Sequence, residues 1–170
     1  MKHLIITVIG KDRPGLVELL SDSVYQNNGN WLSSRLSKLA GQFAGILQIE
    51  IDEQHIKALR QALDQIEELQ IHIVEEKSQA LSSPVLHYLT VTVNDRPGIV
   101  KEVTAQLNQL GINIHKLKTH TQSAPNWGYP IFLAHFQLSL PDDIELSFVQ
   151  QKLEMLADDL TVDIDESSPA

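Results

Sequence analysis

The sequence predicts an α+β protein of two tandem β-α-β-β-α-β units, ferredoxin-like in form, each with an antiparallel sheet and its helices on one face. Three observations predict it. Asp-Arg-Pro-Gly stands at Asp12 to Gly15 and again 83 residues later at Asp95 to Gly98. At the same offset Thr7-Val8 meets Thr90-Val91, Val17 meets Val100 and Asn30 meets Asn113, so a whole unit is duplicated rather than a tetrapeptide. Around both copies, strand-like and helix-like apolar patterns follow one another in the same order. A period of about 80 residues is too long for a solenoid and falls in the range of small domains. The units are bounded at 1–77 and 86–166, with a linker at 78–85 holding Ser-Ser-Pro and a tail at 167–170. Units this small bury thin cores, so they are expected to lean on one another or on a second copy of the chain, giving a homodimer.

Leu4 to Ile9 is an apolar, β-branched run and reads as a strand covered on both faces. Pro14 suits the first turn of a helix, and Asp12 just before it has a side chain able to cap free amides. Leu16, Leu20 and Val24 then share a helical face, and Asn27-Asn28-Gly29 ends that helix. Trp31 to Leu39 and Phe43 to Ile51 form a hairpin about Ala40 to Gln42. Ile56, Leu59, Leu63 and Ile66 make one buried helical stripe, and Leu69 to Val74 closes the unit. The second unit repeats the order: strand Leu86 to Val93, helix Pro97 to Leu110, a strand from Asn113 to about Thr121, strand Ile131 to Leu140, a helix with Leu146, Val149, Leu153 and Leu156 inside, and strand Leu160 to Ile164. Where the first unit turns in three residues, the second carries the longer loop Ser123 to Pro130.

Composition narrows the function. Net charge is −9 with 13 Lys and Arg in 170 residues, which leaves no basic cluster for a phosphate backbone, so direct nucleic-acid or anionic-membrane binding is not expected. There is no cysteine, hence no disulfide, thiol nucleophile or thiolate metal site. The apolar start is cut short by Gly10-Lys11-Asp12 and does not read as a signal peptide, and no stretch approaches the roughly 20 apolar residues of a membrane span. The expected location is the cytoplasm. The seven histidines show no metal-ligand spacing, the serines lack a nucleophile-elbow setting, and Asp142-Asp143 reads as a helix cap. No cofactor and no catalytic constellation is expected.

What remains is the repeated turn. A helix N-terminus presents free amides that hold a small anion such as a carboxylate. Gly15 and Gly98 let a ligand or a backbone come close, Asp12 and Asp95 offer a charge for an ammonium, and Asn30 and Asn113, in equivalent places at the next strand, offer donor and acceptor alike. Together these would recognise a free α-amino acid. Capping, helix initiation and packing would account for the same residues.

Strand, Asp-Arg-Pro-Gly-(Leu/Ile)-Val, amphipathic helix, then Gly-Asn or Gly-Ile-Asn closely resembles the ACT domain, a regulatory fold that binds amino acids, and the resemblance spans both halves. Two such units at this length, with Ser34-Arg35-Leu36 and Gly41-Gln42-Phe43 in the first, resemble the glycine cleavage system transcriptional repressor family. The resemblance implies effector contacts from Asp12, Arg13, Gly15, Leu16 and Asn30 in the first unit and from Asp95, Arg96, Gly98, Ile99 and Asn113 in the second. It implies a small amino acid effector, glycine being the family's own, and transcriptional control exerted through a DNA-binding partner protein. The alternatives are a regulator that grips a metabolic enzyme and a pairing module without a ligand.

Overall fold

A computed structural model describes residues 1–76, 83–123 and 128–166. The chain divides into two compact units, Met1–Ala80 and Leu81–Ala170. Most of the expected linker, the middle of the loop from Ser123 to Pro130, and the tail 167–170 lie outside the described residues.

In the first unit β1 (Lys2–Lys11), β2 (Asn30–Leu39), β3 (Gln42–Ile51) and β4 (Leu69–Glu75) form an antiparallel sheet in the order β2-β3-β1-β4. Helices α1 (Leu16–Gln26) and α2 (Ile56–Asp64) supply its apolar cover. Central β1 shows why. Leu4, Ile6 and Val8 alternate onto the helix side and are buried, and they meet Leu16, Leu20 and Val24 of α1 and Leu59 and Leu63 of α2 in one core. The other face is less covered than its β-branched run predicts, since Ile5 and Thr7 are half-buried and Ile9 is exposed. Ile, Val and Thr at those positions reflect strand propensity as much as burial.

Backbone geometry corrects two local expectations, the β2–β3 turn and Ile66, and bears out the helix end at Asn27 to Gly29. The β2–β3 turn uses two residues, Ala40 (φ 48°) and Gly41 (φ 78°), the left-handed pair that matches strand twist. Asn28 (φ 57°) takes the left-handed position after α1, and the Gly29 amide donates to the Val24 carbonyl at 2.9 Å. Ile66 lies beyond α2, yet is buried with the stripe that precedes it.

The second unit repeats the plan with β5 (His87–Asn94), α3 (Ile99–Gln109), β6 (Asn113–Ser123), β7 (Pro130–Ser139), α4 (Leu146–Glu154) and β8 (Thr161–Asp165), in sheet order β6-β7-β5-β8. Its core joins Leu89, Val91 and Val93 to Ile99, Val103, Leu107, Val149 and Leu153. Asp142-Asp143 is not a cap: the residue before α4 is Glu145, whose side chain makes no capping bond. One outer strand of each sheet carries a register shift near its start, between Trp31 and Ser33 in β2 and between Ile114 and Lys116 in β6.

Candidate functional site

The turn after β1 is built from both ends. Its entry is held by the hairpin tip, where the Asp12 amide donates to the Gly41 carbonyl at 2.9 Å. Its exit is Gly15, whose φ of 87° and ψ of 0° turn the chain into α1, a conformation that only glycine adopts without strain. The helix starts at Leu16, two residues later than Pro14 suggests, and no side chain caps it. Asp12 is therefore not the capping residue its type predicts. Its Oδ2 pairs instead with Lys38 Nζ at 3.1 Å, and its Oδ1 is shut off from solvent and accepts no hydrogen bond.

Leu19 donates the first helical bond, to the Gly15 carbonyl at 2.9 Å, so the amides of Leu16, Val17 and Glu18 precede the ladder. In front of them lies an open cavity of about 310 Å³ lined by Asp12, Gly15, Lys38 and Phe43 among others. The Arg13 guanidinium turns away, with Nη2 donating to Glu68 Oε1 at 2.6 Å and Nη1 to the Pro14 carbonyl at 3.2 Å. The Glu68 carboxyl titrates below the usual range because of backbone hydrogen bonding and then the bond from Arg13. Leu16 is a core residue, 2% exposed, so it offers a ligand its amide and not its side chain.

The second turn shares this backbone. The Asp95 amide donates to the Pro130 carbonyl at 2.9 Å, Gly98 has φ 94° and ψ −7°, and the Glu102 amide donates to the Gly98 carbonyl at 3.0 Å. Ile99 is buried like Leu16. The side chains differ. Asp95 is exposed, and Arg96 forks onto Glu102, with Nη1 to Oε1 at 2.9 Å and Nη2 to Oε2 at 2.6 Å. This pair lowers the Glu102 pKa and raises that of Arg96.

The asparagines do not converge on the turns. Asn30 pairs in register with Glu50, which is level with His3 at the start of β1, whereas Asp12 follows its end. Nine residues of strand separate those levels, about 30 Å at the usual rise. Asn113 is level with Ser139, likewise at the opposite end of its sheet from Asp95. It lines a separate open groove of about 510 Å³ with Lys101, Thr104 and Asn108. No small molecule touches both the Asp and the Asn of one unit. Equivalence in the repeat carries no proximity, because strand direction sets Asn and Asp at opposite ends of each sheet.

Lys38, Phe43, Glu68 and Glu102 are the contributors that the motif reading missed. Glu102 was the most accessible, since the 83-residue offset sets it against Leu19, an apolar residue replaced by an acid next to the reversal of Glu18 to Lys101. Among the described residues, no group of three His, Cys, Asp or Glu side chains is placed to hold a metal, and no helix is long and apolar enough to cross a membrane. The one histidine cluster is on the open face of the second sheet, where His120 stacks on His135 with ring centroids 5.6 Å apart. His135 Nδ1 is 2.8 Å from Thr90 Oγ1, which donates to Asp165 Oδ2 at 2.8 Å. Because the hydroxyl has a single proton and gives it to the carboxylate, His135 must be the donor to Thr90.

Two βαββαβ units with a glycine turn after the first strand define a tandem ACT domain protein, and the ACT domain family matches residues 2–75 and again 86–163. The chain belongs to the family of the glycine cleavage system transcriptional repressor: it is 30% identical over 128 residues to the protein of that name from Escherichia coli (strain K12), covering 73% of this chain and 67% of the relative. The same holds for the Shigella flexneri protein. Among solved structures, an unknown protein from Galdieria sulphuraria is 28% identical and superposes with a TM-score of 0.84 over 98% of both chains. A structure assigned to the glycine cleavage repressors, 20% identical, superposes at 0.70 over 96% of both and shows the shared fold.

Proposed function

We propose that this chain is a cytoplasmic sensor of a small amino acid, glycine foremost, which controls transcription through a DNA-binding partner protein. The observation that carries the sensing half is the unsatisfied Asp12 Oδ1. A carboxylate oxygen withdrawn from water without a donor is costly, and rotation of the Asp12 carboxylate toward the adjoining cavity would let an arriving ammonium group satisfy it. The same cavity holds a cation, Lys38, and faces the amides at the start of α1. Acid, cation and amides together complement a zwitterion. Glycine is favoured by kinship with a repressor named for glycine cleavage.

The net charge of −9 supports the partner half, because a chain without a basic cluster gains little from releasing counterions on DNA. The effector would act by binding the partner-free and partner-bound forms with different affinity, and its leverage is limited to that difference. Two copies of the chain would associate, the exposed Ile9 and Ile46 supplying apolar surface on the open side of the first sheet.

Calorimetric titration with the common amino acids tests the first half. Heat with glycine or a close analogue, lost in Asp12→Ala, is expected; silence from all of them at millimolar concentration overturns sensing. Electrophoretic shift of promoter DNA by the purified chain alone overturns the partner half.

A further inference from the structure

The two Asp-Arg-Pro-Gly turns have the same backbone and different contents. In the second, Glu102 reaches back over the start of its own helix and is gripped by both nitrogens of the Arg96 fork, at 2.9 and 2.6 Å. Its Oε1 lies 3.6 Å from where a β-carbon on Gly98 would stand, so the carboxylate occupies the space that the glycine leaves open. A negative charge is thus already installed at the helix start, where an incoming carboxylate would be drawn. In the first turn the corresponding residue is Leu19, packed against the core, and Arg13 has swung onto Glu68 in the turn before β4. Glu18 of α1 lines the first cavity, but no charged side chain of α1 comes within 4 Å of the absent Gly15 β-carbon, which has only Arg13 Nη1 that near, at 3.9 Å.

Resting on the amino-acid reading above, we infer that the second turn is closed by its own Glu102 carboxylate, an internal stand-in for the effector's carboxylate, so that each chain takes one amino acid, at the first turn. An amino acid at the second turn would set its carboxylate against the amides of Val100 and Lys101, beside a charge of the same sign. Its ammonium could still meet Asp95, which is exposed. The repulsion and the occupied space, rather than any change of backbone, are what exclude it. Because the bond from Arg96 lowers its pKa, Glu102 stays ionised at neutral pH and the closure is permanent there. Removing Glu102 also frees Arg96 to grip a carboxylate, so the closed turn becomes an open one with a cation in it.

The test is a titration of the ¹⁵N-labelled full chain with glycine, then serine and alanine, read by amide chemical shifts together with calorimetric stoichiometry. In the native chain the amides of Leu16 to Glu18 shift, those of Ile99 to Lys101 do not, and one molecule binds per chain. In Glu102→Ala both sets shift and the stoichiometry rises to two. Glu102→Gln, which keeps the shape and removes the charge, also admits a second molecule. Glu102 is a surface residue, and the spectrum itself reports whether each variant is folded. Shifts in both sets in the native chain overturn the inference, as does a folded Glu102→Ala protein whose Ile99 to Lys101 amides stay still. Failure of the underlying reading looks different. If the native chain binds none of the three while Glu102→Ala binds at the second turn, the closure stands and sensing at the first turn falls. If neither protein responds, both fall.

Discussion

Replacing Gly15 by alanine isolates the backbone of the turn from its chemistry. At φ 87° and ψ 0° an L-residue brings its β-carbon against its own carbonyl, at a cost of about 1–2 kcal/mol. No neighbour adds to this, since the new methyl would find only Arg13 Nη1, at 3.9 Å. Alanine also narrows the unfolded ensemble, which returns about 0.4–1 kcal/mol. The difference is a destabilisation of about 1 kcal/mol, or about 4–8 °C in the melting temperature of a unit this size. Gly98→Ala should behave alike, its φ of 94° and nearest contact of 3.6 Å being close equivalents. Differential scanning calorimetry reads both. A sharper arm uses D-alanine at position 15 by protein semisynthesis: its preferred φ is positive, so the strain vanishes, the entropic part remains, and the melting temperature should rise. L-alanine that is neutral or stabilising, or D-alanine that destabilises, would refute the argument that conformation rather than ligand access demands glycine here.

Two further outcomes are expected. Leu59→Ala, emptying a fully buried site on α2, should cost about 3 kcal/mol in urea unfolding, whereas Leu39→Ala, 81% exposed beside the hairpin tip, should stay within about 0.5 kcal/mol. Burial and then the neighbouring His120 hold the His135 pKa below its usual 6.5, with Lys118 pushing the same way and Asp165 opposing. The unfolded chain then binds the proton more readily than the folded one. The stability this group contributes is full above about pH 6.5 and is lost as pH falls from there through the lowered folded value. Denaturant unfolding of the second unit between pH 7 and 5 should show that loss, and His135→Gln, which can still donate to Thr90, should flatten it.

The fold was legible because repetition and period act over whole elements. Among the described residues the eight strands and four α-helices are where alternation and three-to-four spacing put them, and the boundary differences are at caps and turns, where one dihedral decides. Pro14 and Asp12 carry genuine helix-start propensities, yet the helix begins at Leu16 because Gly15 takes the left-handed position and Asp12 finds Lys38. The site was legible only as a motif. Side-chain partners across the fold, Arg13 with Glu68 or Asp12 with Lys38, join residues 55 and 26 positions apart and have no local signature. Asn30 and Asn113 show the opposite failure, a true equivalence in sequence carrying no information about which end of the sheet they occupy.

The register shifts at the starts of β2 and β6 have a consequence for how the protein survives at high concentration. Both strands are edges, ten and eleven residues long, and an edge that long is a template on which foreign strands can stack. An extra residue twists each edge and spoils the ladder that a straight partner would need, while Arg35 and Lys38 on one edge and Lys116 and Lys118 on the other make the remainder costly to cover. Resistance to fibre formation is thus written into the same strands that begin with the paired asparagines.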